Sequence, residues 1–148
     1  MIIVDASVAV ATILDPRSAA AEAVIRADAL AAPELLDLEV LQEVRGRVAA
    51  SKLAEADGRV AVRRLRQLGI SLHGHRHLLD RIWELRDNLT AYDASYAALA
   101  EDLDATLVTG DNGLATCPGL RCRVQVVRTI VPGPPVNPLG QPPEDPLR

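Results

Sequence analysis

Short apolar runs alternate along this chain with longer segments in which apolar residues recur every three or four positions. The short runs predict strands and the longer segments predict helices, because these spacings match a pleated strand and an α-helix. The predicted strands are MIIV (1–4), LAAP (30–33), GISLHGH (69–75), ATLVT (105–109) and VQVVRTIV (124–131). The predicted helices are 6–14, 18–28, 34–49, 53–68, 78–88 and 90–103.

Strands that alternate with helices favour a parallel sheet covered by helices on both faces, so we predict an α/β fold. Ligands of such sheets bind outside the carboxyl ends of the strands. The pattern ends at Val131, and residues 132–148 are rich in Pro and Gly. We therefore predict one domain over 1–131 and a tail over 132–148 that is disordered or laid on the surface.

The composition argues against several classes of function. The 148 residues carry a net charge of −4, which argues against binding nucleic acid through bulk charge alone. Aromatic side chains are too scarce for a surface that stacks many bases. The first apolar run is short and meets Asp5, so we expect neither a signal peptide nor a membrane span. Two cysteines, Cys117 and Cys122, make neither a zinc site nor a disulfide framework, and we expect both reduced in a cytoplasmic protein.

Two acids follow predicted strands. Asp5 ends the first strand, where it could cap the next helix or hold a cation. Asp111 follows ATLVT, and the sequence Asp-Asn-Gly also suits a simple turn. Both positions lie where a doubly wound sheet gathers its ligands.

Two further acids lie on predicted helices. Asp93 comes three residues after Thr90, a spacing that also suits a capping box. Glu39 could be an ordinary solvated residue of a ladder with Glu43 and Arg47, in which Glu43 and Arg47 suit an ion pair. If the four acids converge, their hard oxygens would select Mg²⁺ or Mn²⁺ and could support phosphodiester chemistry.

Four stretches resemble the PIN domain, and in particular VapC-type toxins of bacterial toxin–antitoxin pairs. These are MIIVDASVAV, APELLDLEVL, LTAYDASYAALAEDLDATLVTGD and the short NGLA after it, in the order and spacing of the family across residues 1 to 130. The resemblance implies a three-layer α/β/α fold and a Mg²⁺- or Mn²⁺-dependent endoribonuclease. Asp5, Glu39, Asp93 and Asp111 match the acidic metal-binding and catalytic residues of the family, and Ser7 and Thr109 match its supporting hydroxyl residues.

The resemblance also implies partners. Such a toxin is a homodimer that cuts RNA, leaves 5′-phosphate and 3′-hydroxyl ends, and is silenced by a cognate VapB-type antitoxin. Toxin and antitoxin form a heterotetramer or a larger complex, which contacts DNA only through the antitoxin, and no membrane is involved. Many members carry a further acid after the position of Asp111, where this chain has Asn112 and Gly113. One bound ion is therefore expected rather than two.

The sequence also allows other hypotheses about function. The chain could be a catalytically weak PIN-like module that acts by binding a partner protein, which the missing acid favours. A phosphoryl-receiving signalling domain also groups acids at strand ends, but the only lysine, Lys52, precedes a helix instead of ending a late strand. A dinucleotide-binding fold would need a Gly-x-Gly-x-x-Gly loop, which the sequence lacks.

Basic and aromatic residues offer further candidates. Arg86 and Asn88 precede the Asp93 helix and are candidate substrate-binding residues, and Trp83 could lie in the core or in a dimer interface. The arginines Arg45, Arg47, Arg63, Arg64 and Arg66 could hold RNA phosphates or simply form a solvated helix face. The histidines His73, His75 and His77 would share one face of a strand and could bind zinc, although a surface loop is the simpler reading.

Overall fold

The computed structural model describes residues 1–129, and the predicted tail at 132–148 lies outside them. The strands are β1 (Ile2–Val4), β2 (Leu30–Pro33), β3 (Ser71–His73), β4 (Thr106–Thr109) and β5 (Val124–Val126). The helices are α1 (Ala6–Leu14), α2 (Ala19–Ile25), α3 (Leu36–Ala49), α4 (Glu55–Gln67), α5 (Leu79–Glu84), α6 (Ala91–Asp102) and α7 (Asn112–Ala115), with a 3₁₀ turn at Arg76–Leu78 before α5.

All five strands are parallel and lie in the order β3-β2-β1-β4-β5. Strand β1 is central, with Ile3 opposite Ala31 on one side and Leu107 on the other. Ile3 and Val4 are fully buried, because both faces of a central parallel strand are covered. Asp5 therefore leaves the sheet at the middle of its carboxyl edge, where the strand order reverses.

Two groups of helices cover the sheet. Helix α1 packs against α2, α3, α4 and β4, and α6 packs against β1, β2, β4 and α5. Helix α3 buries one face, at Leu36, Val40 and Val44, and partly buries Val48 on the same face. The three layers confirm the predicted α/β/α fold with a central parallel sheet.

Several predicted helix bounds were too long. The helix predicted to reach Asp28 ends at Ile25, and the one predicted to reach Asn88 ends at Glu84. Ser18 caps α2, since its hydroxyl accepts a hydrogen bond from the Ala21 N–H at 3.1 Å. Gly58, which weakens α4 as a helix, lets α3 approach closely: a Cβ there would lie 3.1 Å from Cγ2 of Val48.

The described helices were compared with the requirements for a membrane-spanning helix. None of those in residues 1–129 combines the length and the apolar character that a membrane crossing requires.

Candidate active site

Asp5 is both a helix cap and part of a polar cluster. It is the N-cap of α1, and its Oδ1 accepts a hydrogen bond from the Val8 N–H at 3.1 Å. The Ser7 hydroxyl donates to the same oxygen at 2.6 Å, and the Thr109 hydroxyl donates to Oδ2. Capping therefore accounts for one of these three hydrogen bonds, and the other two come from side chains that fix the carboxylate in place.

The two hydroxyls connect Asp5 to the end of β4. Ser7 Oγ accepts a hydrogen bond from the Gly110 N–H at 2.9 Å, and Thr109 Oγ1 accepts one from the Asp111 N–H at 3.0 Å. Thr109 is fully buried. The orientation of Asp5 is thus coupled to the backbone that carries Asp111.

Asp93 and Asp111 are each held by one local group. The Thr90 hydroxyl caps α6 by accepting from the Asp93 N–H at 3.1 Å, and it donates to Asp93 Oδ2 at 2.7 Å. Asp111 caps the short helix α7, where its Oδ1 accepts from the Gly113 N–H at 2.7 Å. The capping interpretation of Thr90 and Asp93 is therefore confirmed, whereas Asp111 caps a short helix instead of lying in a simple turn. In each carboxylate the other oxygen accepts no hydrogen bond from residues 1–129.

Glu39 reaches the cluster from α3. Its Oε2 accepts a hydrogen bond from the Tyr96 hydroxyl at 2.5 Å. Burial raises the pKa of Glu39, the Tyr96 hydrogen bond opposes that rise, and the charges of Asp93 and Asp5 add to it. Three carboxylates therefore interact electrostatically, and Glu39 is not an independent solvated residue.

The four predicted acids line one cavity of about 210 Å³. Its wall consists of Asp5, Ala6, Ser7, Glu39, Asp93, Tyr96, Asp111 and Leu114. Thr109 lies directly behind Asp5, to which it is hydrogen-bonded. Sequence reasoning did not identify Tyr96, although its position one helical turn after Asp93 places the two side chains on the same face of α6.

The donor set suits a hard cation. The cavity offers carboxylate oxygens from four acids, and oxygen donors are those that Mg²⁺ and Mn²⁺ prefer. Within residues 1–129, no three His, Cys, Asp or Glu side chains already stand close enough together to hold a metal ion. Carboxylates of like charge repel one another, and hydrogen bonds hold each of these four, so a bound cation would have to draw them inward.

A second cavity of about 370 Å³ adjoins the first and shares Ala6, Ser7 and Glu39 with it. Its far wall includes Arg47, whose Nε donates to Glu43 Oε1 at 2.9 Å, so the predicted ion pair is present. The other predicted arginines lie elsewhere: Arg45 lines a groove between α3 and α4, Arg64 donates to the Ile13 carbonyl, and Arg63 and Arg66 are exposed.

Other candidates are absent from the acidic cavity. Arg86 lies over the Trp83 ring, 4.9 Å from its centroid, and Asn88 Nδ2 donates to the Pro118 carbonyl at 3.5 Å. Trp83 is 69% exposed, so the hypothesis that it lies in the core was wrong. Among the three histidines only His73 belongs to β3, because the strand ends there, so the three do not share one strand face and the zinc hypothesis loses its basis.

Comparison with known proteins agrees with this architecture. The chain matches the family model described as PIN domain over residues 2–119. It is 42% identical over 127 residues to VapC ribonuclease Mb0985 of Mycobacterium bovis and equally to ribonuclease VapC9 of Mycobacterium tuberculosis, with 86% of this chain and 98% of each relative covered. Ribonuclease VapC1 of Mycobacterium tuberculosis is 43% identical over 98 residues, covering 66% of this chain and 74% of the relative.

A solved structure shows the same fold. PAE2754 from Pyrobaculum aerophilum superposes with a TM-score of 0.59 at 22% identity, over 78% of this chain and 84% of that one. At this identity the likeness concerns the fold alone. Taken with the acidic cavity and the relatives, it leads to one assignment: the chain belongs to the PIN-domain family, among its VapC-type ribonucleases.

Proposed function

We propose that this chain is a metal-dependent endoribonuclease that acts as the toxin of a toxin–antitoxin pair. One observation carries the proposal: four acids from β1, α3, α6 and the end of β4 line a single cavity at the carboxyl edge of the sheet. Sequence identity of 42% to ribonucleases of the VapC type supports RNA as the substrate.

The proposed reaction is hydrolysis of a phosphodiester. Water attacks the phosphorus in line and the 3′ oxygen leaves, which yields 5′-phosphate and 3′-hydroxyl ends. A Mg²⁺ or Mn²⁺ ion held by Asp5, Glu39, Asp93 and Asp111 would supply a Lewis acid that activates water and offsets charge on the reacting oxygens. Ser7 and Thr109 orient Asp5 within this set through their hydrogen bonds to its two oxygens.

Cleavage of purified total RNA tests the proposal, with Mg²⁺, Mn²⁺ or EDTA present. We compare the wild type with Asp5→Asn and Asp93→Asn, and with Asp28→Asn as an exposed control. Asparagine is as good an N-cap as aspartate, so Asp5→Asn keeps the cap of α1 while removing the charge. We expect discrete fragments that require metal, persist in Asp28→Asn and vanish in both site variants.

The same experiment addresses the second candidate function, a catalytically weak module that acts by binding a partner protein. Asn112 and Gly113 favour that candidate, because they stand where an additional acid would help to hold a second ion. Intact RNA under every condition, from protein shown by mass spectrometry to carry no bound antitoxin, would reject the nuclease in favour of this module.

We assign to Arg47 the binding of the RNA phosphate next to the one that is cleaved. Its side chain is 32% exposed, and Glu43 engages its Nε, while its two terminal nitrogens donate to no described residue. A guanidinium edge of this kind can bind a phosphate through two nitrogens.

Substitution of Arg47 tests this assignment by RNA binding in an Asp93→Asn background. Arg59 provides a matched control, because it forms the same i,i+4 ion pair, with Glu55 at 2.6 Å, on a different helix. Arg47→Ala should weaken binding and reduce the slope of log K against log salt by about 1, whereas Arg59→Ala should change neither. Equal slopes in the two variants would contradict a phosphate contact at Arg47.

The antitoxin would cover the surface beside Glu39. A groove of about 520 Å³ runs along Leu35, Leu38, Gln42 and Tyr92, with Glu39 and Glu43 at its edge. Leu38 is 70% exposed and Tyr92 63% exposed, so apolar surface is available next to the acids. A VapB-type partner that pairs a basic group with the acids and an apolar side chain with this groove would block the site.

Oligomeric state is a further part of the proposal. We propose a homodimer alone and a heterotetramer or larger complex with the antitoxin, with DNA contacted only through the antitoxin. Sedimentation of the chain alone and after co-expression with its antitoxin would measure both states, and a monomer at micromolar concentration would contradict the first.

A further inference from the structure

Tyr96 carries a buried hydroxyl in a largely apolar stretch of α6. It is 3% exposed, while the residues from Ala94 to Ala100 around it are alanine, serine and leucine. Its hydroxyl donates to Glu39 Oε2 at 2.5 Å and so connects α6 to α3 through two residues that are 57 positions apart in sequence. A buried tyrosine hydroxyl needs such a partner, and here the partner is one of the four acids.

Glu39 depends on this hydroxyl for its position. No other described residue donates a hydrogen bond to Glu39, whereas Asp5 accepts bonds from Ser7, Val8 and Thr109. Asp93 and Asp5 repel the Glu39 carboxylate, and the glutamate side chain is long enough to turn towards solvent. The Tyr96 bond is thus the direct contact that opposes this repulsion.

The bond also determines how Glu39 can bind a cation. Oε2 accepts the hydrogen bond of the tyrosine hydroxyl, and Oε1 accepts no hydrogen bond from residues 1–129. A carboxylate held in this way presents Oε1 to a cation without a competing hydrogen bond, while Oε2 shares its lone pairs with the tyrosine hydroxyl. Mg²⁺ has a compact octahedral shell and commonly takes one oxygen from each carboxylate, whereas Ca²⁺ accepts bidentate carboxylates.

We infer that Tyr96 is a positioning residue that holds Glu39 in the cavity with one oxygen free and thereby sets the affinity of the site for a divalent ion. This inference rests on the proposed function, since it assigns the ion to the same cavity. Hydrogen-bond partners of metal ligands typically change affinity or activity 10–100-fold when removed.

Calorimetric titration with Mn²⁺ tests the inference without relying on catalysis. Tyr96→Phe removes the hydroxyl and keeps the ring, and Tyr92→Phe makes the same chemical change at an exposed position on the same helix. We expect Tyr96→Phe to raise the Kd for Mn²⁺ about tenfold or more, and Tyr92→Phe to leave it unchanged. In a Glu39→Gln background, Tyr96→Phe should cause no further loss, because its effect passes through Glu39.

Thermal melts separate positioning from folding. A lower Tm in Tyr96→Phe with a Kd for Mn²⁺ within twofold of the wild type would show a merely structural role and overturn the inference. An equal loss of affinity on the Glu39→Gln background would also overturn it. If Tyr96→Phe does not fold, Glu39→Asp serves as the second variant, because its shorter side chain withdraws the carboxylate from the Tyr96 hydroxyl. We expect Glu39→Asp to lose affinity for Mn²⁺, and to lose the same amount when Tyr92→Phe is added. Wild-type affinity in Glu39→Asp would overturn the inference.

RNA cleavage by the wild type, measured in parallel, distinguishes this inference from the proposed function. Cleavage with a Kd unaffected by Tyr96→Phe rejects only the role of Tyr96. Mn²⁺ binding that depends on Tyr96, without any RNA cleavage, rejects only the nuclease. A wild-type chain that binds no Mn²⁺ rejects both.

Discussion

Arg81 is the centre of a hydrogen-bond network outside the candidate site. Its Nε and Nη2 donate to the two carboxylate oxygens of Glu101 at 2.7 and 3.0 Å, and Nη2 also donates to the Gly119 carbonyl at 2.6 Å. Glu101 further accepts from the Arg121 N–H at 2.8 Å. The network therefore joins α5, α6 and the loop that precedes β5.

Arg81→Ala should cost about 2–4 kcal/mol of unfolding free energy. The side chains of Arg81 and Glu101 are only 18% and 11% exposed, and losing one partner of a buried pair costs roughly 3–5 kcal/mol. The expected value is somewhat lower because Glu101 keeps the Arg121 N–H and some access to water. Arg59→Ala breaks an ion pair that is 75% and 74% exposed, and should cost only about 0.3–0.5 kcal/mol.

The difference between wild type and Arg81→Ala should depend on pH. Burial by itself would raise the pKa of Glu101, but hydrogen bonds from Arg81 and the Arg121 N–H outweigh it, and the pKa falls below its ordinary value of 4.5. A lowered carboxyl pKa stabilises the fold above pH 4.5, and this contribution is lost as the pH falls through the lowered value.

Urea unfolding at neutral pH and at several values below pH 4.5 measures the cost of Arg81→Ala and the dependence of that cost on pH. The curves of wild type and Arg81→Ala should lie furthest apart at neutral pH and approach each other in acid. A cost at neutral pH no larger than that of Arg59→Ala would refute the reasoning, as would a difference that stays constant with pH.

Three further predictions concern the site. Glu39→Gln should raise the Tm in EDTA, because burial and the neighbouring charges disfavour the ionised side chain; an unchanged or lower Tm would contradict this. Mg²⁺ should raise the Tm of the wild type in a concentration-dependent way and that of Glu39→Gln much less, as scanning calorimetry would show. Gly110→Ala should destabilise the fold by about 1–3 kcal/mol in urea, because the new Cβ would overlap the Thr129 side chain, whereas Gly46→Ala, which meets open space, should not destabilise it.

The elements and the fold class follow from the sequence pattern alone. Short apolar runs and amphipathic segments predicted every strand and the helices α1 to α6, because burial on a sheet or on one helix face imposes its period on the chain. It also placed Asp5 and Asp111 at strand ends, where parallel topology brings side chains together. Helix ends were less predictable: nothing local in the sequence required α2 to end at Ile25 or α5 at Glu84.

Which side chains meet could be learned only from the packing of the folded chain. Each acid had a sufficient local explanation, and the structure shows that Asp5, Asp93 and Asp111 do serve as caps or in a capping turn while lining a shared cavity. The bond between Tyr96 and Glu39 joins α6 to α3, and no local pattern encodes a contact across 57 residues. Periodicity reports which face of an element is buried, but the partner across that face depends on how the helices pack against the sheet, which is a property of the whole chain.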